Sequence, residues 1–157
     1  MELTKVWELV KRTEFAHLGF LDEKGLPCIR TVWCTWHKGL KAHYISSNKS
    51  SLHVQASLYN KEGCLYFYDS NSFEGVCLRG RLIAHQDRKH RELLWADDSI
   101  QYYPMGVMDD DYTVLELEVE EGRYYGSGCS LNITKEDIDE SNFGDMPKDF
   151  MDEIHSK

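Results

Sequence analysis

The sequence has no cluster of basic residues. Its 18 Lys and Arg are scattered among 27 Asp and Glu, for a formal net charge of −9. A phosphate backbone demands concentrated cationic charge, so nucleic acid is not the expected partner. No apolar run approaches the ~18 residues that a membrane-spanning helix needs. The stretch from Met1 to Lys11 carries charges throughout and lacks a signal-peptide core. The expectation is therefore a soluble cytoplasmic protein with no membrane partner. Cysteine is present without a pattern: Cys28, Cys34, Cys64, Cys77 and Cys129 are odd in number, form no C-x-x-C pair and mostly sit in apolar runs. They read as small buried hydrophobes rather than as a disulfide framework or zinc site. A Ser-His-Asp arrangement, a P-loop, a G-x-G-x-x-G turn, internal repeats and low-complexity runs are all missing.

The chain that remains, 157 residues with 41% apolar side chains, is enough for one globular domain with a sizeable core. Leu3, Val6, Trp7 and Val10 share one helical face, which predicts a short amphipathic helix over Leu3 to Lys11. Strands are expected at Phe15 to Leu21, Leu26 to Trp36 and Leu40 to Ile45, joined by tight turns at Asp22 to Gly25 and His37 to Gly39. Ser46 to Ser51 reads as a polar loop leading into a helix over Leu52 to Tyr59, capped by Ser50 or Ser51. Further strands are expected at Cys64 to Tyr68, at Val76 to His85 with a bend or bulge at Gly80, and at Tyr112 to Val119. In the last of these, Thr113, Leu115, Leu117 and Val119 alternate with Glu116, Glu118 and Glu120, the glutamates facing water. Asp87 is the expected cap of a helix ending at Trp95. The fold class is thus mainly β (α+β): a six-stranded antiparallel split β-barrel with short flanking helices over residues 1–130. Residues 131–157 form an acidic, partly helical tail with helix starts at Thr134 and Pro147.

The polar loop is the most informative feature. Four serines and an asparagine precede a helix start, where free N–H groups and the helix dipole favour an anion such as phosphate. Arg30 lies on the adjacent hairpin, in a strand that otherwise reads as buried, where a guanidinium needs an anionic partner. Each feature has an ordinary reading too: a cap and a turn for the serines, a carboxylate or solvent for the arginine. Of the seven histidines, His37 and His43 flank a turn and His85 and His90 lie five apart, but none has ligand-type spacing, and no metal is expected. Asp109-Asp110-Asp111 reads as a structural turn.

In order, the segments Gly25 to Val32, Ser47 to Val54, Cys64 to Tyr68, Leu78 to Gly80, Tyr102 to Gly106, Asp110 to Leu115 and Gly122 to Tyr125 resemble the pyridoxamine 5'-phosphate oxidase-like split barrels, closest to their general-stress-protein branch. The resemblance implies a homodimer with flavin mononucleotide (FMN) in a cleft at the subunit interface, and a small oxidoreductase with an unknown small-molecule substrate and electron donor. It places Arg30 on the FMN phosphate, the backbone of Thr31, Val32 and Trp33 along the isoalloxazine edge, and Ser46, Ser47, Asn48, Ser50, Ser51 and His53 in the phosphate pocket. It makes Tyr125 the aromatic that the partner subunit offers. The chain departs from the family at Leu52-His53, where relatives carry a cation pair, and at Gly75, where they offer a Gln. It also lacks the C-terminal Trp- and Arg-containing element, so true pyridoxamine 5'-phosphate oxidation is not expected. No catalytic side chain stands out. The rival expectation is a non-catalytic binder or sensor of flavin or another phosphorylated ligand on the same barrel.

Overall fold

The computed structural model describes residues 2–126 and 128–146. The strands are β1 (Phe15–Leu21), β2 (Pro27–Lys38), β3 (Ala42–Asn48), β4 (Glu62–Asp69), β5 (Glu74–His85), β6 (Tyr112–Gly126), β7 (Cys129–Ile133) and β8 (Asp145–Met146). The helices are α1 (Glu2–Arg12), α2 (Leu52–Ser57), α3 (Arg88–Leu94) and α4 (Lys135–Glu140). Six strands run β1-β4-β5-β6-β3-β2, and β1 pairs with β2 to close the ring. Every pairing is antiparallel, so the expected six-stranded barrel is present. Two further strands were not foreseen: β7 pairs with the distal half of β6, and β8 with His37 and Lys38 at the end of β2.

Alternation fills the barrel. Leu115, Leu117 and Val119 of β6 point inward with Leu65, Phe67, Val76, Leu78 and Leu82, all fully buried. The first half of β6 is also covered from outside. Tyr112 and Val114 join Ala42, Tyr44, Leu94 and Tyr103 in a second apolar cluster. Buried Arg91 of α3 pins the covering segment by donating to the carbonyls of Val107 (3.3 Å) and Asp109 (2.8 Å). Glu116, expected in water, is therefore half-buried and bonded to His85. Val6, Leu9 and Val10 of α1 are fully buried, each contributing roughly 1.5–3 kcal/mol. Arg12 ties the end of α1 to Asp69 (2.9 Å) and Glu74 on the β4–β5 hairpin.

Gly80 sits at a register shift between β5 and β6, where a side chain would collide with the Glu118 carbonyl; this is the expected bulge. Two expected boundaries are corrected. The turn predicted at His37 to Gly39 begins only after Lys38, because His37 and Lys38 pair with His43 and Ala42. Ser46 to Asn48 are strand, not loop, because pairing with Val114, Thr113 and Tyr112 of β6 overrides their weak strand preference. The cysteines also differ from expectation. Only Cys34 is buried. Cys64 and Cys77 lie in the outward phase of their strands, while their neighbours Leu65, Val76 and Leu78 fill the core. The acidic segment is docked through Ile133 and Ile138, both in the core, and α4 starts with a reciprocal Thr134–Asp137 cap. The second expected helix start, Pro147, lies outside the described residues.

Candidate functional site

β2 and β3 part company partway along their hairpin. β2 pairs with β1 from Pro27 to Trp33, but with β3 only from Cys34 to Lys38. Beyond a register shift between Cys34 and Trp36, β3 follows β6 as far as Asn48. One edge of β2 over residues 28–32 therefore has no partner strand among the described residues. In an antiparallel ladder, alternate residues turn their N–H and C=O groups to opposite edges. About half of that backbone faces the opening.

Arg30 stands in the inward phase of β2 with Val32 and Cys34, but at the open end, so its side chain is exposed. The strand is not buried on both faces as its sequence suggested. Ile29 is 74% exposed and Trp33 38%, because the outer wall of β2 is uncovered in a single chain. No carboxylate among the described residues pairs with Arg30. Val32 is buried, so only its backbone is available to a ligand.

Across the fork, buried Ser47 places its hydroxyl 2.5 Å from His53 Nε2. Ser51 Oγ lies 3.3 Å from the same nitrogen and donates its own proton to the Asn48 carbonyl (2.6 Å). His53 Nδ1 is buried without a partner among the described residues. Burial first, and then the nearby Arg30 guanidinium, push the His53 pKa below its usual range, so the ring is neutral at pH 7. Ser46 is exposed in the opposite phase of β3, where its hydroxyl meets the Tyr112 phenol, so the fold does not bring it to this group.

Asn48 and Ser50 are engaged elsewhere. The Asp111 carboxylate accepts from Asn48 Nδ2 (3.0 Å), Ser50 N–H (2.8 Å) and Ser50 Oγ–H (3.1 Å). Tyr103 O–H donates to the Asn48 side-chain oxygen at 2.8 Å. These groups hold the loop to the acidic turn, and the Asp109 to Asp111 triplet was the sequence signal for it. Ser51 occupies the cap position of α2 but makes no side-chain cap bond, correcting that expectation. With only six residues, α2 also has little dipole to offer. Tyr125 is not at the fork. It sits at the far end of β6, beyond the part that pairs with β3, its hydroxyl 2.5 Å from that of Tyr66. Gly75 makes room for this pair, since a side chain there would strike the Tyr66 hydroxyl and the Tyr125 ring.

A second polar group lies inside the barrel. His37 Nδ1 and His43 Nδ1 are 2.8 Å apart, and Cys34 Sγ is 3.8 Å from His37 Nδ1. All three are buried. Burial pushes the Cys34 thiol up to about 12 and His37 down to about 4, and lowers His43 as well.

A closed antiparallel barrel, forked at one hairpin with an unpaired arginine and two hydroxyls at the fork, defines a split barrel with a cationic, hydroxyl-lined opening. A family model described as "Pyridoxamine 5'-phosphate oxidase like" matches residues 1–142. The chain belongs to that family. It is similar to the crystal structure of a Clostridium acetobutylicum protein related to general stress protein 26 of Bacillus subtilis, of the pyridoxinephosphate oxidase family. The two are 35% identical, with a TM-score of 0.76 over 87% of this chain and 96% of that one. The fold also matches general stress protein 26 from Bacillus anthracis (11% identity, TM-score 0.69, 84% and 98% covered). A pyridoxamine 5'-phosphate oxidase-related, FMN-binding protein from Nostoc punctiforme matches as well (13% identity, TM-score 0.64, 82% and 86% covered). None of the curated proteins matches the chain.

Proposed function

We propose that the protein binds FMN at the fork, as a homodimer with the cofactor at the subunit interface, and serves as a small cytoplasmic oxidoreductase. The observation that carries this reading is the unpartnered edge of β2 beside an arginine with no carboxylate partner among the described residues. A guanidinium can give a phosphate two parallel, charge-assisted hydrogen bonds. The residues present fit that group: Arg30 supplies the permanent charge, and Ser47, Ser51 and His53 supply neutral polar atoms, one of them an unpartnered buried nitrogen. Backbone groups of Thr31 to Trp33 are the candidates to meet the edge of a flavin ring. Bound FMN would supply the electron-transfer chemistry, and the protein would position the ring and control access to it. The exposed outer wall, with Phe15, Ile29, Trp33 and Tyr125 all more than a third exposed, is the surface that a second copy would cover, bringing its Tyr125 towards the flavin.

A non-catalytic binder or sensor is the second reading. It is favoured by Leu52, 50% exposed, and by the neutral His53. These leave Arg30 as the fixed charge that acts on the histidine. The test is the visible absorption of the purified protein. A yellow protein that releases FMN on denaturation is expected; a colourless one that ignores added FMN contradicts both readings. Reduction of the bound flavin by NADH or NADPH, with turnover on an acceptor, then separates enzyme from binder.

A further inference from the structure

We propose that His85, His90 and Glu116 form a site for a divalent transition-metal ion of the zinc class, with Asp87 positioning the His90 imidazole. His85 is the last residue of β5, His90 lies on α3 and Glu116 comes from β6. The fold brings one possible ligand atom from each to within 4.8 Å of the others. Ligand atoms around a tetrahedral zinc at ~2.0–2.2 Å stand about 3.4 Å apart, so the group must draw inward around an ion. The two rings are stacked, with centroids 3.7 Å apart and planes 4° from parallel.

A carboxylate orients the His90 ring. Asp87 Oδ1 is 2.8 Å from His90 Nδ1, and at 3.9 Å from His85 Nδ1 it is beyond hydrogen-bond reach of that ring. With its Nδ1 held by Asp87, His90 keeps Nε2 for a ligand, and His85 Nε2 already meets Glu116 Oε1 at 2.7 Å. Among the described residues nothing hydrogen-bonds His90 Nε2. A carboxylate that fixes the tautomer of a ligating histidine is the usual support of a metal site. In the stack the two in-plane Nε2 lone pairs run parallel, so sharing one ion requires the His90 ring to rotate out of the stack. His90 has the room for this, on a short helix with a side chain 27% exposed.

Charge and access agree with a cation: Glu116 and Asp87 place two carboxylates against the ring pair. His85 and Glu116 retain 20% and 12% side-chain exposure, so an ion can reach them, whereas Cys34, His37 and His43 are sealed in the core. Two nitrogens and one carboxylate oxygen, with room for water, suit zinc, nickel or copper better than magnesium or calcium. Spacing in the sequence hid the group, because Glu116 arrives from another strand.

The test is a calorimetric titration of chelator-treated protein with zinc alone, repeated on His85→Gln, His90→Ala, Asp87→Asn and Cys34→Ser. One equivalent is expected to bind wild type and Cys34→Ser alike, with no binding to the two histidine variants. Asp87→Asn keeps a good helix cap and is expected to bind roughly 10–100-fold more weakly. With cobalt in place of zinc, visible bands without a thiolate charge-transfer band are expected. Circular dichroism confirms that each variant is folded; His85→Gln serves if His90→Ala is not. Absence of zinc binding to wild type overturns the proposal. So does unchanged binding in either histidine variant, or loss of binding in Cys34→Ser.

Discussion

The barrel interior and the fork each hold histidine beside hydroxyl or thiol groups, and each leaves one buried ring nitrogen unpartnered, His43 Nε2 inside and His53 Nδ1 at the fork. Burial lowers the histidine pKa in both places. The difference is what surrounds them. Inside, among the described residues, Cys34, His37 and His43 meet one another, backbone and rings such as Trp7 and Phe67, the latter 5.4 Å from His43. At the fork an exposed arginine and an open strand edge stand beside the histidine. Polar groups sealed in a core contribute to which structure forms. Polar groups left facing an opening, with a fixed charge among them, are where a ligand belongs.

The largest expected effect separates the two histidine sites by pH. Above the ordinary histidine value of 6.5, folded and unfolded chains are both neutral at these rings and nothing is lost. As the pH falls from about 6.5 through the folded value of about 4 for His37, the unfolded chain takes up a proton that the folded chain refuses. Stability therefore falls on acidification, by roughly 3 kcal/mol from His37 alone, and His43 adds in the same direction. Urea melts at neutral and acidic pH read this directly. His53→Gln should leave most of the loss in place; if that variant abolishes it, the division between core and fork is wrong.

Next is Arg30→Ala, which should weaken FMN binding roughly 10–100-fold through loss of charge-assisted bonds. The exposed side chain has no carboxylate partner among the described residues, so the urea midpoint should barely move. A destabilised variant with unchanged affinity would make Arg30 scaffold instead. Asp111→Ala should do the opposite, lowering stability by about 1 kcal/mol as the exposed Asn48 and Ser50 donors exchange the carboxylate for water, with a smaller effect on FMN than Arg30→Ala has. The smallest and sharpest contrast is between two serines. Ser47→Ala should cost about 1 kcal/mol of FMN affinity, while Ser50→Ala should cost a similar amount of stability and leave affinity unchanged, both read by parallel titrations and melts.

Much of the barrel was legible in the sequence because its signals are local. The alternation of Leu115, Leu117 and Val119, the cap at Asp87 and the bulge at Gly80 all follow from neighbouring residues. The misread parts depend on distant partners. Ser46 to Asn48 become strand only because β6 lies alongside them. Asn48 and Ser50 turn away from the opening because Asp111, more than sixty residues further on, collects their protons. Arg30 was found for a reason that the structure replaces. Its strand is not buried on both faces, and its interest comes from the fork, a feature of pairing that no single segment displays.

The most direct test of the account is an equilibrium titration of the protein with FMN and, in parallel, with riboflavin, which carries the same ring without the phosphate. Quenching of flavin fluorescence reports both. If Arg30, Ser47, Ser51 and His53 form the phosphate anchor, FMN binds and riboflavin binds at least ~10-fold more weakly. Equal affinity for the two, or no binding of either, contradicts it.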